Sequence, residues 1–342
     1  MIQKNIDTFR KLQIDDLPSE SEIMKHWHGD RAIPEVSVIC NTYNHEEYIE
    51  DALKGFLIQK TDFPFEVSIH DDASTDTTAT IIEKYQRKYP NIIKSIIQAE
   101  NQRSKGMRPT LLNFPNTKGR LIAMCEGDDF WFGSNKLQQQ KELLDKTPDV
   151  DLCTHPVAKI NTDGRILSTI LGKQKKKLIN ASRAIKGGGG WCATSSLMVR
   201  REIIDKFANQ FQHVPVGDLV IKCLGSARGG AVFLNENCSV YRVGVLGSWS
   251  AARGREGRLL NYHRRMQSCL TELGKLEEFS NFNDEINFLR SKFTYSASVD
   301  YLRLKDYKMS ARLIANSFRL KPFLSFRQVL LGILLMPFLM LR

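Results

Sequence analysis

Four short runs of apolar, mostly β-branched residues alternate with segments of helical periodicity, and this alternation most narrowly limits how the chain can fold. We predict the runs as buried strands, at Val36–Cys40, Phe65–His70, Ile92–Gln98 and Leu121–Cys125. Residues 45–60 and 77–89 lie between these strands and carry apolar side chains at helical spacing. Strands that alternate with helices form right-handed βαβ units, so we expect an α/β fold with a mainly parallel sheet flanked by helices.

Acidic residues follow two of these predicted strands. Asp71-Asp72 comes after the second strand, and residues 126–129 come after the fourth. Ligands of parallel α/β sheets bind where the carboxyl ends of the strands open into loops, so both clusters are candidate site residues. Asp71 and Asp72 form an Asx-type turn before a helix capped by residues 74–76, or they accept hydrogen bonds from a nucleotide base or ribose. The two interpretations are compatible.

The second cluster, Glu126-Gly127-Asp128-Asp129, places three carboxylates in four residues, where they repel one another and gain nothing from packing. Such clusters hold a hard divalent cation, here Mg²⁺ or Mn²⁺, which bridges the phosphate oxygens of a substrate. Gly127 would let the backbone approach that ligand closely. A solvent-exposed acidic turn is the alternative.

Asp218 is a separate candidate. It follows a glycine and opens an apolar, helical stretch within residues 214–224. Its carboxylate either caps that helix or acts as a general base that removes a proton from an attacking hydroxyl.

Several stretches resemble the family 2 glycosyltransferases of GT-A fold, in particular the bacterial members that build surface polysaccharides such as O-antigen, capsule or exopolysaccharide. The stretches are VSVICNTYNHEEYIEDAL (36–53), FEVSIHDDASTDTTATIIEKY (65–85), GRLIAMCEGDDFW (119–131) and KLQQQKELL (136–144). A weaker likeness continues through WCATSSLMVRREI, VGDLVIKCL and VYRVGVLGSWS. The resemblance covers about residues 35–250 and implies the GT-A fold, followed by a C-terminal helical region.

The resemblance implies transfer of a sugar from a UDP- or dTDP-type donor to an acceptor hydroxyl, assisted by Mg²⁺ or Mn²⁺. It assigns nucleotide-sugar binding to Thr42, Tyr43, Asn44, Asp71, Asp72, Glu126, Asp129 and Arg242. Glu126 and Asp128 fill the DxD-like positions, with Asp128 the leading metal ligand. Asp218 matches the catalytic base of inverting members, which use a single displacement and no covalent intermediate. The residues on the acceptor side are Trp191, Thr194, Ser195 and Ser196.

Two positions depart from the family pattern. The last motif is expected to read YR-x-H, but Gly244 stands in place of the histidine. The diphosphate would then rely on Arg242 or on the basic run Arg253, Arg255 and Arg258, or the metal would be held more weakly. Glu126 is one methylene longer than the aspartate that begins many DxD motifs. The missing histidine leaves a second hypothesis open, a non-catalytic GT-A domain that binds a nucleotide sugar or a glycan without transferring it.

The net charge of +11 predicts a polyanionic partner. Without a zinc module, an RNP-like string or a base-reading basic helix, nucleic acid is not the expected one. Basic helices over residues 255–321 precede Gln328–Leu341, a run of fourteen almost wholly apolar residues. That run is shorter than the roughly 20 residues of a membrane-spanning helix. We expect it to lie on an anionic membrane surface, near a glycan or lipid-linked sugar acceptor; packing on the core or on a second subunit, as an oligomer, is the alternative.

The sequence divides into four predicted segments: a lead-in over 1–34, a GT-A domain over 35–250, a basic helical region over 251–321 and an apolar tail over 322–342. Seven widely spread cysteines without metal-like spacing, and no recognisable signal peptide, favour free thiols in a reducing compartment. We therefore expect a cytoplasmic protein, peripheral on the inner face of the cell membrane. His26 and His28 are expected on a surface helix that ends at Gly29, and the lysines of residues 173–177 in a solvated loop.

Overall fold

The computed structural model describes residues 11–14, 16–172, 174, 177–245 and 256–340. The strands are β1 (Val36–Thr42), β2 (Phe65–Asp71), β3 (Ile93–Ile97), β4 (Leu121–Met124), β5 (Phe130–Trp131), β6 (Leu152–Thr154), β7 (Val157–Ile160), β8 (Ile166–Ile170), β9 (Leu178–Ile179), β10 (Met198–Arg200), β11 (Ala231–Phe233) and β12 (Ser239–Arg242). The helices are α1 (Glu20–Met24), α2 (Ile49–Leu57), α3 (Thr78–Lys88), α4 (Pro109–Asn113), α5 (Lys136–Asp145), α6 (Ala181–Gly187), α7 (Arg201–Gln210), α8 (Gly217–Ala227), α9 (Glu256–Gly274), α10 (Asn283–Arg303), α11 (Tyr307–Leu320) and α12 (Phe326–Met340).

The larger sheet, as far as the structure describes the chain, has eight strands in the order β3-β2-β1-β4-β10-β6-β11-β9. Its first four strands are parallel, because β2 pairs with β3 and β1 pairs with both β2 and β4. Strand β10 reverses direction and pairs antiparallel with β4 and β6. A smaller sheet has the order β5-β12-β7-β8. The predicted α/β fold class, with helices flanking the sheet and following it at the C-terminal end, is confirmed.

The four predicted strands correspond to β1–β4, with ends that differ by one or two residues. Strand β1 continues beyond Cys40 because Asn41 and Thr42 still pair with His70 and Asp71 of β2. This pairing extends both strands as far as the acidic cluster and brings Thr42 beside Asp71.

The predicted surface helix ending at Gly29 is wrong in its extent. Helix α1 ends at Met24, and its Ser19 cap forms a capping box with Glu22. Trp27 lies beyond the helix and is buried, with its indole N–H donated to the hydroxyl of Thr61 at 3.0 Å. Burial of this aromatic ring stops the helix early, because the chain must turn to place the ring against the sheet.

Apolar residues cover both faces of the larger sheet. Alternate residues of β1 face opposite layers, so Val38 packs with α2 while Ile39 packs in the layer that includes α8. Met266, Leu270 and Leu273 of α9 join that second layer. The helical region after residue 256 therefore shares a core with the sheet. The division of the chain into four segments stays a prediction.

Helices α10, α11 and α12 pack on one another. Helices α10 and α11 contact each other through hydroxyl pairs, Ser291 with Ser317 and Ser298 with Ser310. Helix α12 buries Leu331 and Leu335 against α11. Within the described residues, no helix is long and apolar enough to cross a membrane.

Candidate functional site

The predicted site clusters meet at one edge of the larger sheet. Parallel pairing of β1 with β2 and β4 places the ends of all three strands side by side. Thr42-Tyr43-Asn44, Asp71-Asp72 and residues 126–129 follow these ends directly. Strand pairing thus brings together residues that are more than eighty positions apart in sequence.

Asp71 connects the loops that follow β1 and β2. Its carboxylate is buried and accepts hydrogen bonds from the backbone N–H of Ser74, at 2.9 Å, and from the Ser74 hydroxyl. That hydroxyl oxygen accepts from the N–H of Asn44 at 2.9 Å, while the Asn44 side chain accepts from the N–H of Thr75 at 2.8 Å. Asn44 has a φ of +53°, a left-handed conformation that asparagine tolerates. Asp71 and Asn44 therefore fix the shape of this edge.

Asp72 holds a different segment. Its buried carboxylate accepts from the backbone N–H groups of Gln102 and Arg103, at 2.7 and 3.1 Å. The segment between β3 and α4 is thereby anchored at the site with two arginines on it, Arg103 and Arg108. Burial, together with the charges of Arg103 and Arg265, lowers the pKa of Arg108 to about 10. Sequence reasoning missed both arginines, although their place after a strand end was a usable signal.

The acidic loop carries three carboxylates in different environments. Asp129 is buried and accepts from the backbone N–H of Arg242 at 3.0 Å, and burial raises its pKa well above the ordinary range. Glu126 is half-buried. Burial is the main cause that raises the pKa of Glu126 to about 8, and the charge of Asp128 adds to it. The charge of Arg103 lowers this pKa. Asp129 thus braces the loop, while Glu126 and Asp128 are the two carboxylates of the cluster that keep partial exposure.

Two polar side chains, Thr42 and His45, lie beside the acidic loop. The Nε2 atom of His45 is 3.9 Å from Asp128 Oδ2. His45 Nδ1 and the hydroxyl of Thr42 are buried, and neither makes a hydrogen bond with a described residue. Gly127 packs directly against both side chains, because a Cβ there would lie 2.6 Å from Thr42 Oγ1 and 3.0 Å from His45 Nδ1. Burial lowers the pKa of His45, although the charge of Asp128 raises it. The net lowering of this pKa favours the neutral imidazole.

The residues beside the acidic loop can be compared with the ligands that a divalent cation needs. Among the described residues, no group of three or more His, Cys, Asp or Glu side chains is arranged to hold a metal by itself. Mg²⁺ and Mn²⁺ at phosphate sites need only one or two protein carboxylates, because the substrate phosphates and water complete the shell. Asp128, with Glu126 on the same loop and the unpartnered polar atoms of Thr42 and His45 nearby, fits that kind of site.

Arg242 lies inside the protein. Its guanidinium donates to the backbone carbonyl of Asp128 at 2.9 Å and to the carboxylate of Asp51, and it packs against the rings of Tyr48 and Phe130. These contacts make it a brace between α2 and the acidic loop. A direct contact with a nucleotide sugar would require its exposure. Gly244, two residues on, has a φ of +84°, where any other residue is strained.

Asp218 occupies the first turn of α8, while the N-cap position belongs to Val216. The proposed capping role is therefore wrong. Asp218 is about one third exposed, and its Oδ2 accepts from the buried Nζ of Lys222 at 2.7 Å. Burial lowers the pKa of Lys222, but the charge of Asp218 raises it. The resulting pKa is above the ordinary value for lysine, so Lys222 stays charged. The charge of Asp218 also acts on the pKa values of Glu126 and Arg108, so Asp218 lies near both groups.

The acceptor-side candidates separate into two pairs. Ser195 and Ser196 are fully buried; the Ser196 hydroxyl bonds Thr154 and the carbonyl of Ala193, and the Ser195 carbonyl accepts from Trp131. Their hydroxyls could not meet an acceptor without displacement of the core. Trp191 and Thr194 are half-buried and stay predictions. The side chains of Arg253, Arg255 and Arg258, and Lys173, Lys175 and Lys176, lie outside the described residues.

Comparison with known proteins gives a family match and individual relatives. The family described as glycosyl transferase family 2 matches residues 37–207. An uncharacterised protein of Mycobacterium tuberculosis is 32% identical over 221 residues, which are 64% of this chain and 61% of that protein. This chain thus spans about three fifths of the length of its mycobacterial relatives. An uncharacterised glycosyltransferase of Nostoc sp. is 28% identical over 308 residues, 87% of this chain and 88% of that protein.

A solved structure shares the fold. The crystal structure of Staphylococcus aureus TarS residues 1–349 in complex with UDP-GlcNAc matches with a TM-score of 0.62 at 18% identity, over 87% of this chain and 83% of that one. TarS is named a poly(ribitol-phosphate) β-N-acetylglucosaminyltransferase. In sequence it is 35% identical to this chain over 97 residues, 28% of this chain and 16% of that protein.

Proposed function

Because this chain belongs to glycosyl transferase family 2, we propose that it transfers a sugar from a nucleotide diphosphate to an acceptor hydroxyl with inversion at the anomeric carbon. The observation that carries this proposal is the nearness of Asp218, which is partly exposed, to the acidic loop, since its charge acts on the pKa of Glu126. A general base and a phosphate-side acidic cluster would then face the same bound sugar. This is the arrangement that a single displacement requires, since the attacking hydroxyl and the leaving group lie on opposite faces of the sugar.

The donor is of the UDP or dTDP type. TarS, which shares the fold, is described in complex with UDP-GlcNAc, and this supports a pyrimidine nucleotide as the first donor to test. The loops fixed by Asp71 and Asn44 form the wall on which the nucleoside would lie. Tyr43 is exposed beside them and offers its ring and hydroxyl to the base or ribose.

Asp218 acts as the base. Its hydrogen bond from the buried Lys222 fixes the orientation of the carboxylate. The carboxylate takes the proton of the acceptor hydroxyl while that oxygen forms a bond to the anomeric carbon. The bond from the anomeric carbon to the diphosphate oxygen breaks, and the nucleotide diphosphate leaves with the electron pair. Asp128 and Glu126 would hold Mg²⁺ or Mn²⁺, which when bound neutralises charge on the leaving diphosphate.

The acceptor belongs to a surface polysaccharide or to its lipid-linked precursor. The name of TarS, a transferase that acts on poly(ribitol phosphate), supports this class. The C-terminal helix supports a peripheral position on an anionic membrane surface. Its exposed outer face is apolar, with side chains of Phe326, Leu330, Ile333, Leu334 and Met336. Arg312 and Arg319 of α11 and Arg327 of α12 are also exposed. Each of these side chains would gain roughly 1 kcal/mol near anionic headgroups.

Calorimetric titration with UDP, dTDP and GDP, in Mn²⁺ or in EDTA, tests donor binding. Release of the nucleotide diphosphate from the matching donor sugar then tests transfer. We expect one nucleotide to bind only with the metal, and Asp128→Ala to weaken that binding at least about tenfold. Asp163→Ala is the matched control, since Asp163 is exposed in the turn between β7 and β8. Binding without release from any donor would favour the non-catalytic hypothesis, and no binding at all would contradict the proposal.

A further inference from the structure

We propose that His45 is a ligand of the divalent cation, through Nε2, in the site that Asp128 forms. This inference rests on the proposed function, since it deepens the description of the same site. It gives the chain a nitrogen donor on the loop after β1. The family pattern and the sequence motifs gave His45 no role.

The separation of the two groups fits a shared ion. His45 Nε2 and Asp128 Oδ2 are 3.9 Å apart, too far for a hydrogen bond. Two donors each about 2.1 Å from one octahedral cation lie about 3.0 Å apart when adjacent and about 4.2 Å apart when opposite. The observed distance falls between these values. A shared cation therefore requires only small side-chain movements.

The ring of His45 has no structural hydrogen bond that would explain its burial. Neither of its ring nitrogens bonds a described residue. The two other buried histidines each have one bonded ring nitrogen, since His70 pairs with Gln98 at 3.2 Å and His155 with the carbonyl of Pro156 at 2.8 Å, while their second nitrogens are unpartnered like His45 Nδ1. Buried polar atoms in native proteins nearly always have a partner, so a ring with neither nitrogen bonded is open to a ligand at Nε2.

The protein also fixes where this ring lies. The backbone N–H of His45 donates to the hydroxyl of Thr78 at 2.8 Å, which ties the loop to the start of α3. The ring meets Tyr48 edge to face, with centroids 6.5 Å apart. Gly127 packs closely against the ring, since a Cβ there would lie 3.0 Å from His45 Nδ1. These contacts hold the nitrogen near Asp128 before any ligand arrives, which is the preorganisation that a metal site needs.

Pulsed EPR of the protein with Mn²⁺ and UDP tests the inference without any assay of activity. A directly bound imidazole couples its ¹⁴N nucleus to Mn²⁺, and we expect this modulation in the native protein. His45→Phe keeps the ring and its contact with Tyr48 but should abolish the modulation and weaken Mn²⁺-dependent UDP binding by about 10- to 100-fold. His28→Phe is the matched control, since His28 is exposed and hydrogen-bonds the backbone of Asp62 before β2, at the opposite edge of the sheet.

The outcomes separate this inference from the proposed function. A native Mn²⁺–UDP complex without nitrogen coupling would overturn the assignment of His45 and leave the transferase proposal standing. Coupling that persists in His45→Phe would overturn it as well. If neither UDP, dTDP nor GDP binds with Mn²⁺, both proposals are overturned. The spectrum of the native protein decides the question even if His45→Phe does not fold.

Discussion

Asp51 on α2 and Arg242 on β12, 191 positions apart in sequence, form an ion pair that is almost wholly buried. The same guanidinium reaches the carbonyl of Asp128. Helix α2, the last strand of the small sheet and the acidic loop are thus joined at one charged group. The geometry of the loop therefore depends on this pair, although both members are buried.

Removal of one partner should be costly. Asp51→Ala removes the buried carboxylate that faces the Arg242 charge, and we expect a loss of about 3 kcal/mol in the free energy of unfolding, measured by urea denaturation. Glu272→Ala is the matched control, because its pair with Lys275 is exposed and should contribute less than about 1 kcal/mol. Equal losses in the two variants would contradict the bracing role of Arg242.

Gly127→Ala tests the close packing of the acidic loop against Thr42 and His45. The added Cβ would lie within 3.0 Å of both Thr42 and His45, so we expect crowding to weaken Mn²⁺-dependent nucleotide binding at least about tenfold, measured by calorimetry. Gly172→Ala is the control, since nothing lies within 4 Å of a Cβ at that position. Unchanged binding in Gly127→Ala would place the nucleotide phosphates elsewhere.

Strand alternation predicted the sheet and the edge at which the site lies, because periodicity and residue type are local properties. It could not separate the roles of neighbouring carboxylates. Asp71 fixes its own loop, while Asp72 anchors a segment thirty residues later that carries Arg103. The assignment depends on which backbone N–H groups each carboxylate meets, and those groups belong to loops whose fold is not a local property of the sequence.

Arg242 shows why motif position alone was insufficient. The motif predicts that Arg242 binds a phosphate, but its guanidinium forms a buried ion pair with Asp51 of α2. His45 is the reverse case. It follows directly on the TYN stretch at a strand end, and only the folded position of Asp128 distinguishes it from a surface histidine.

The outer face of α12 should bind anionic vesicles. Leu330→Glu with Ile333→Glu places two charges on that face, and we expect co-sedimentation with phosphatidylglycerol vesicles to fall at least about tenfold. Leu167→Glu with Leu178→Glu is the control, since both residues are similarly exposed, on β8 and β9. A native protein that ignores vesicles at low salt, and whose sedimentation shows a dimer lost in the α12 variant, would assign this face to a second subunit.

Lys136 should make stability depend on pH. Burial lowers the pKa of Lys136 to about 8, and its ammonium contacts Gln140 and the face of Trp131. Between that value and the ordinary 10.5, the unfolded chain binds more protons, so stability rises with pH. Relative to Lys136→Met, the free energy of unfolding of the native protein should rise by roughly 2 kcal/mol from about pH 7.5 to 9.5. A constant difference would contradict this assignment.

The most direct test of the account is the rate of nucleotide diphosphate release by Asp218→Asn, with the donor and metal that the native protein binds. We predict a fall in kcat of at least about 100-fold with nucleotide affinity unchanged, because the amide keeps the shape of the side chain but cannot take the proton. Asp163→Asn should match the native protein. Near-native release by Asp218→Asn would remove Asp218 as the base and with it the proposed mechanism.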